Sequence, residues 1–371
     1  MSKITYFCDE NNIEESAKEQ IDAMLQVPSL VKAAIMPDVH AGYGVPIGTV
    51  LELDNAVMPS AVGVDIGCGM LAVRTTIDSN DLRPHFDTIV RTIKSSIPMG
   101  FSRRNDSDFC MVMAYAPDRN DLGLTTEEEM QLGTLGGGNH FIEILVGGDN
   151  CVWLLIHSGS RNYGYTIGHK YMQVAAMCDN EAPNQDLATL NLDGFSGAKY
   201  WLLMENAQRF AKLNRHVMME IIKSVLMQWF GTNSFVETID CHHNYAELRI
   251  SPEAVTVIHR KGAIAAHSGD IGIIPGSMGS PSYIVEGLGN PESLFSASHG
   301  AGRTMSRSKA KKTIGIDEFR DSMSDVYSEN IDEKHLDEAP LAYKDIRDVM
   351  AQQKDNVKII HELTPVLNIK G

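Results

Sequence analysis

Asp65 and Cys68, two side chains able to hold a metal, stand three apart in VGVDIGCGM (62–70). A carboxylate and a thiolate so spaced can share one divalent ion or bridge two. The plainer alternative is a turn aspartate beside a buried thiol. Three histidines in equally glycine- or asparagine-rich company widen the donor set: His140 in GTLGGGNHFIEI (133–144), His157 in IHSGSRNYG (156–164) and His243 in CHHNYA (241–246). Taken alone, each is more often a packed or surface histidine than a ligand. Along a strand, successive side chains point to opposite faces, so only one of His242 and His243 can face a shared site. One Asp, one Cys and three His select against Mg²⁺ and Ca²⁺ and leave Mn, Zn, Fe or Co open. Five donors are too many for a closed tetrahedral zinc and point to two ions sharing a bridging group.

SASHGAGR (296–303) carries a different chemistry. His299 is flanked by small residues that let a phosphate approach its imidazole, a good nucleophile towards phosphorus. Arg303, four positions on, can neutralise phosphate charge through two parallel hydrogen bonds. The alternative is a capping or core histidine in a turn. Ser277 and Met278 lie in PGSMGS (275–280), which reads either as a phosphate- or base-binding loop or as a turn. Arg161 and HRKGA (259–263) are candidate contacts for a substrate phosphate, although exposed salt bridges are preferred for His259, Arg260 and Lys261. The sequence contains no P-loop, no HExxH and no Rossmann glycine fingerprint.

These residues must be brought together by the elements between them. ESAKEQIDAMLQV (15–27) reads as an amphipathic helix, with further helices at 79–95 and 162–177. The longest spans 198–230, where Leu203, Ala207, Phe210, Val217, Ile221 and Val225 form a core-facing stripe. Glu205, Arg209, Lys212 and Arg215 fall mainly off it, and Gly231 is the stop. Strands are expected near 47–53, 71–76 and 152–156, in YAELRI, VTVIH, GDIGIIPG and SYIVEG, and in the terminal VKIIHELTPVLNIKG. Motifs lie on both sides of the long helix. That favours an α+β fold, a single integrated domain over 1–371 with mixed β-sheets and surrounding helices.

The net charge of −16 argues against a broad grip on nucleic acid. The acidic surplus is interrupted by the basic run Arg303–Lys312, which suits a polyphosphate or a strand end. No apolar run reaches membrane-spanning length and no signal peptide is indicated. The six cysteines form no CxxC pair, which suits a reduced, cytoplasmic setting. Cys8, Cys110, Cys151, Cys178 and Cys241 are expected to be buried or half-buried thiols.

Taken in order, MPDVHAGYGVPIG, VGVDIGCGM, GTLGGGNHFIEI, HSGSRNYG, HHNYA, HRKGA, PGSMGS, SASHGAGRTMSR, LAYKDI and LNIKG resemble the signatures of the RtcB family of RNA-splicing ligases over nearly the full length. The chain is shorter than many members. The resemblance implies the RtcB-type fold and a reaction joining an RNA 3′-phosphate, or a 2′,3′-cyclic phosphate after opening, to a 5′-hydroxyl with GTP and two Mn²⁺ ions. Cys68 would bridge the ions, with Asp65 and His140 completing one site and His157 and His243 the other. His299 would form a covalent GMP adduct. Asn139, Ser277, Met278, His299, Gly300, Ala301, Gly302, Arg303, Tyr343 and Lys370 would hold GTP, and Arg161 and Arg303 the RNA. Some members also use an activator, archease. A dinuclear metal-dependent phosphatase or cyclic phosphodiesterase acting on RNA ends is an alternative, as is a non-catalytic protein that binds such ends.

Overall fold

The computed structural model describes residues 3–105, 112, 114–231 and 234–371. Its largest sheet has seven antiparallel strands, in the order Ile271–Ile274, Ser282–Gly287, Val357–Lys370, Phe141–Val146, Cys151–Ser158, Gly69–Asp78, Phe235–His242. Lys370 pairs with Phe141, Phe141 with His157, Met70 with His157, and Gly69 with His242. These pairings place His140, His157, Cys68, His243 and Lys370 at one edge of five neighbouring strands. An antiparallel sheet thus collects, at one end, residues far apart in sequence.

A second sheet of five strands, Ile4–Tyr6, Leu30–His40, Ile47–Asp54, Val255–Lys261 and Asn244–Ile250, contributes Asp38 and Lys261. The short strand Ser296–Ser298 pairs with Ala263–Ala265 and delivers His299 directly after its end. The helix expected at 198–230 runs from Phe195 to Phe230 and stops at Gly231, whose φ of +75° favours a residue without Cβ. Its Phe210, Val217, Ile221 and Ile222 pack with Leu71, Val73, Ile142, Ile144, Leu154 and Ile156 of the large sheet. Burying each such side chain contributes roughly 1.5–3 kcal/mol. Leu203 is only half-buried, whereas Arg215, assigned to the polar side, is wholly buried. Periodicity alone misplaces Arg215 because its charge is neutralised inside the core.

The expected helix at 79–95 is divided: Ser79–Leu82 leads through a tight turn containing Pro84 into Phe86–Ser96. Proline cannot supply the amide that a continuous helix needs there. The Asp65–Cys68 loop follows a short helix, Pro59–Val62, and not a strand. Gly67 has φ +71° and its backbone abuts Gln208 of the long helix, so only glycine fits that turn. Cys178 ends the helix Arg161–Cys178 and is exposed, unlike the half-buried Cys8, Cys151 and Cys241. Cys110 lies outside the described residues. Among the described residues no helix is long and apolar enough to cross a membrane.

Candidate functional site

Asp65, Cys68 and His140 bring their donor atoms within 4.8 Å of one another, and so do Cys68, His157 and His243. Cys68 belongs to both groups. Its Sγ lies 3.2 Å from His157 Nε2 and 3.5 Å from His140 Nε2, and His157 Nε2 is 3.3 Å from His243 Nε2. The orientation of two rings is set from behind. His140 Nδ1 is 2.9 Å from the Leu135 carbonyl, and His157 Nδ1 is 3.1 Å from that of Asn139. An Nδ1–H donated to a carbonyl leaves Nε2 as the lone-pair nitrogen, the tautomer a metal requires. His242 turns the other way, towards the Gly67 carbonyl and Arg215, so one histidine of the pair enters the site as strand geometry demands.

The electrostatics fit a cation. Burial, reinforced by Asp65, pushes the Cys68 thiol far above its ordinary range. Burial also pushes His157 and His243 far below theirs. For Asp65 burial works upward, but His140, whose Nε2 lies 2.9 Å from the carboxyl, holds it low. A half-buried carboxylate, a thiol that ionises only beside positive charge, the His140 ring and two imidazoles that burial keeps neutral form a donor set that suits a divalent ion.

Next to this cluster stands His299, its ring centroid 4.8 Å from that of His243. Asp38, wholly buried, receives both the backbone N–H of His299 at 3.1 Å and its Nδ1 at 2.7 Å. Burial tends to raise the Asp38 carboxyl, yet the hydrogen bond from His299, with His40 and Lys344, keeps it low. A proton on Nδ1 facing this carboxylate leaves the lone pair of a neutral ring on Nε2.

His299 also lines a cavity of about 420 Å³, large enough for a small ligand. Asn139, Ser277, Met278, Gly300, Ala301, Gly302, Arg303, Tyr343 and Lys370 line it too, so the segments expected to hold a nucleotide do converge. At its floor sits Glu338, which binds Lys370 Nζ at 2.5 Å, the Tyr343 hydroxyl at 3.0 Å and the Arg307 guanidinium. Arg303 stacks its guanidinium on Tyr343, 5.0 Å from the ring centroid. Arg307 and Lys311 of the basic run also pair with Asp337, so acids that follow in sequence fold back upon it. Arg161 is elsewhere. It binds Thr134 Oγ1 and the Gly100 carbonyl on the Asp65 side of the cluster, with φ +55°.

The preference for surface salt bridges in HRKGA is overturned, because His259, Arg260 and Lys261 are all buried. Arg260 is held by Glu247 and Tyr245 at 2.8 and 2.9 Å. Lys261 binds the Tyr43 carbonyl and lines a smaller cavity with Cys68 and His299; burial pushes it down to about 7. Lysine and arginine runs look exposed until strand pairing encloses them.

The sequence reading did not single out Asp38, Glu338, Asn214 or Arg215. Asn214 binds Thr134 N–H, the Thr134 and Gly159 carbonyls and Ser158 Oγ, all within 3.2 Å. Arg215 reaches the Gly67 and Ser158 carbonyls, Asp240 and His242. These two neighbours tie together the loops bearing Cys68, His140, His157 and His243. Asp38 had one available signal, its place in MPDVHAG.

A sequence model of the tRNA-splicing ligase RtcB family matches residues 20–371. The chain belongs to the RtcB family. It is 38% identical to RNA-splicing ligase RtcB of Escherichia coli K12 over 393 residues, covering 97% of this chain and 95% of that protein. RNA-splicing ligase RtcB1 of another Escherichia coli strain, ATCC 25922, matches equally at 38%. The tRNA-splicing ligase RtcB of Pyrobaculum aerophilum is 30% identical over 421 residues, 91% of this chain and 87% of that protein. RtcB membership agrees with the mixed sheets seen here and with a Cys/His/Asp cluster fit for metal.

Proposed function

We propose that this chain is a cytoplasmic RNA ligase, acting as one unit over 1–371. It would join 3′-phosphate or opened 2′,3′-cyclic phosphate ends to 5′-hydroxyl ends with GTP and manganese. The observation that carries the reading is the position of His299, tied to Asp38 at Nδ1 and set between the metal-fit cluster and the 420 Å³ cavity. Asp65, Cys68 and His140 would hold one ion and Cys68, His157 and His243 another. Manganese there supplies a Lewis acid that offsets charge on phosphoryl oxygens.

The protein's own groups account for the remaining steps. His299 Nε2 attacks the α-phosphorus of GTP; the bond to the bridging oxygen breaks and pyrophosphate leaves with its electron pair. Asp38 holds the Nδ1 proton as the ring takes up positive character. An oxygen of the RNA 3′-phosphate then displaces Nε2 and carries off GMP. The 5′-hydroxyl oxygen next bonds to the 3′-phosphorus, GMP departs with the electron pair, and the hydroxyl proton passes to water. A phosphate monoester is a poor electrophile, and the GMP cap gives it a good leaving group. Arg303 and Asn139 contact phosphate, Tyr343 and Lys370 contact guanine, and Arg161 contacts RNA.

Incubation with α-labelled GTP and Mn²⁺ should leave acid-labile, alkali-stable label on the protein, absent from His299→Ala. Equal labelling of that variant would overturn the assignment. Release of phosphate from RNA ends without GTP, undiminished by His299→Ala, would favour a phosphatase.

A further inference from the structure

The contact between Asp38 and His299 has a backing that the reaction steps do not use. Lys344 follows Tyr343 in LAYKDI, yet it lines a separate cavity of about 300 Å³, with Cys8, Pro37 and Val39. Its Nζ donates to the Pro37 carbonyl at 3.0 Å and to the Val39 carbonyl at 2.7 Å, the two carbonyls on either side of Asp38. The pairing of Leu30–His40 with its neighbouring strand lapses between Ile35 and His40, and Lys344 supplies donors to the backbone at that lapse. The backbone N–H of Lys344 donates to the Gly302 carbonyl at 3.0 Å. Gly302, at φ +73°, lies so close to the strand that a Cβ on it would meet the Asp38 carbonyl oxygen at 2.2 Å. One residue therefore holds both the strand that carries the carboxylate and the loop that follows the imidazole.

Asp38 needs such support. Its Oδ2 takes both bonds from His299, and among the described residues its Oδ1 has no hydrogen-bond partner. The carboxylate is thus tied, through its own oxygens, only to the residue it has to orient. Its aim must come from the backbone beneath it. The nearby ammonium also favours the ionised carboxylate, as opposite charges do at short range. We propose that Lys344 is a positioning residue: by gripping the carbonyls that flank Asp38, it aims the carboxylate at His299 and so sets the imidazole for attack on GTP. Lys344 is neither one of the metal-fit donors nor part of the lining of the nucleotide-sized cavity. The assignment rests on the ligase reading above.

The assay is the single-turnover rate of labelling by α-labelled GTP with Mn²⁺, followed over GTP concentration. Lys344→Met, which keeps the length and loses the donors, should slow labelling at saturating GTP about a hundredfold, the cost of a misplacement of about 1 Å. The half-saturating GTP concentration and the affinity for Co²⁺ should stay at wild-type values. The decisive measurement is a double-mutant cycle with Asp38. In an Asp38→Asn background, Lys344→Met should cost less than about threefold more, because residues that act as a unit are not additive. A hundredfold loss in both backgrounds would overturn the inference. So would a wild-type rate for Lys344→Met, or a raised half-saturating GTP concentration. If Lys344→Met does not fold, Lys344→Gln, which retains a donor, takes its place, with a loss of about tenfold expected only while Asp38 is present. Absence of label on the wild-type protein would refute the ligase reading and this inference with it. Label on the wild type that ignores Lys344 would refute the inference alone.

Discussion

Asn214→Ala is the sharpest perturbation of the scaffold beneath the site. The side chain is wholly buried on the long helix; its oxygen accepts the Thr134 N–H, and its two amide hydrogens are shared among the Thr134 and Gly159 carbonyls and Ser158 Oγ. Ser158 keeps a second partner in the Leu135 carbonyl, so its loss costs little. Thr134 N–H and the two carbonyls lose a buried partner, and each orphaned group costs about 1–3 kcal/mol. Allowing for partial relaxation, the expected loss of stability is about 3–5 kcal/mol, a large share of a typical domain's total. Thr134 leads into the loop of His140, and Ser158 and Gly159 follow His157. Metal affinity should therefore fall about tenfold, the lower end for partners that orient ligands. Urea denaturation measures the first quantity, and titration with Co²⁺ followed by its ligand-field absorption measures the second. Val225→Ala on the same helix supplies the control: Val225 is buried in the core, so stability should drop while metal affinity holds. Wild-type metal affinity in Asn214→Ala, or equal loss in Val225→Ala, would refute the claim that Asn214 positions the ligand loops.

Asp38→Asn should slow labelling by GTP about a thousandfold in single-turnover experiments, because the amide no longer enforces the Nδ1–H tautomer of His299. Metal affinity should stay at the wild-type level, and unchanged labelling would contradict the proton assignment. Cys68→Ser should abolish the sulfur-to-cobalt charge-transfer band and weaken Co²⁺ binding at both groups of donors, since Cys68 alone is common to them. Persistence of that band would remove Cys68 from the site. Acid should destabilise the fold through His259, whose Nε2 accepts the Met58 amide at 2.9 Å and whose Nδ1 faces the Val257 carbonyl. Burial pushes this ring down to about 4. A depressed folded value means its contribution is complete above the unfolded value near 6.5 and is lost as pH falls from there towards 4, about 2 kcal/mol of it between pH 7 and 5. His259→Gln, which can still accept the amide, should show that much less change in urea denaturation between these pH values; an identical slope would count against it.

The Asp65, Cys68, His140, His157 and His243 cluster was legible in the sequence because ligand chemistry needs particular side chains, and the glycine and asparagine around them mark the tight loops that present them. The long helix and eight of the sixteen strands among the described residues were legible for the usual reason, that period and burial agree. Leu30–His40 escaped because Pro37, Asp38 and His40 interrupt its apolar pattern, and its register with the neighbouring strand shifts between Ile35 and His40. That irregular stretch is where Asp38 is aimed at His299. Asn214 and Arg215 escaped because, in an amphipathic helix, polar residues are assigned to water. Their burial follows from partners in four separate loops, information that no local window contains.

Charge was read correctly in total and incompletely in place. The run from Arg303 suggested a basic mouth, yet Arg303, Arg307, Lys311 and Lys370 meet Asp337 and Glu338 across the folded chain. Such pairing removes most long-range attraction for a polyanion, because neighbouring opposite charges cancel beyond a Debye length. What it preserves is orientation: Glu338 fixes Lys370, Tyr343 and Arg307 around the cavity before any ligand arrives. A protein of net charge −16 therefore does not need a broad positive surface to recognise a phosphorylated end. Short-range hydrogen bonds from a preorganised pocket can provide the selectivity, and the acidic exterior then discourages nonspecific coating of RNA.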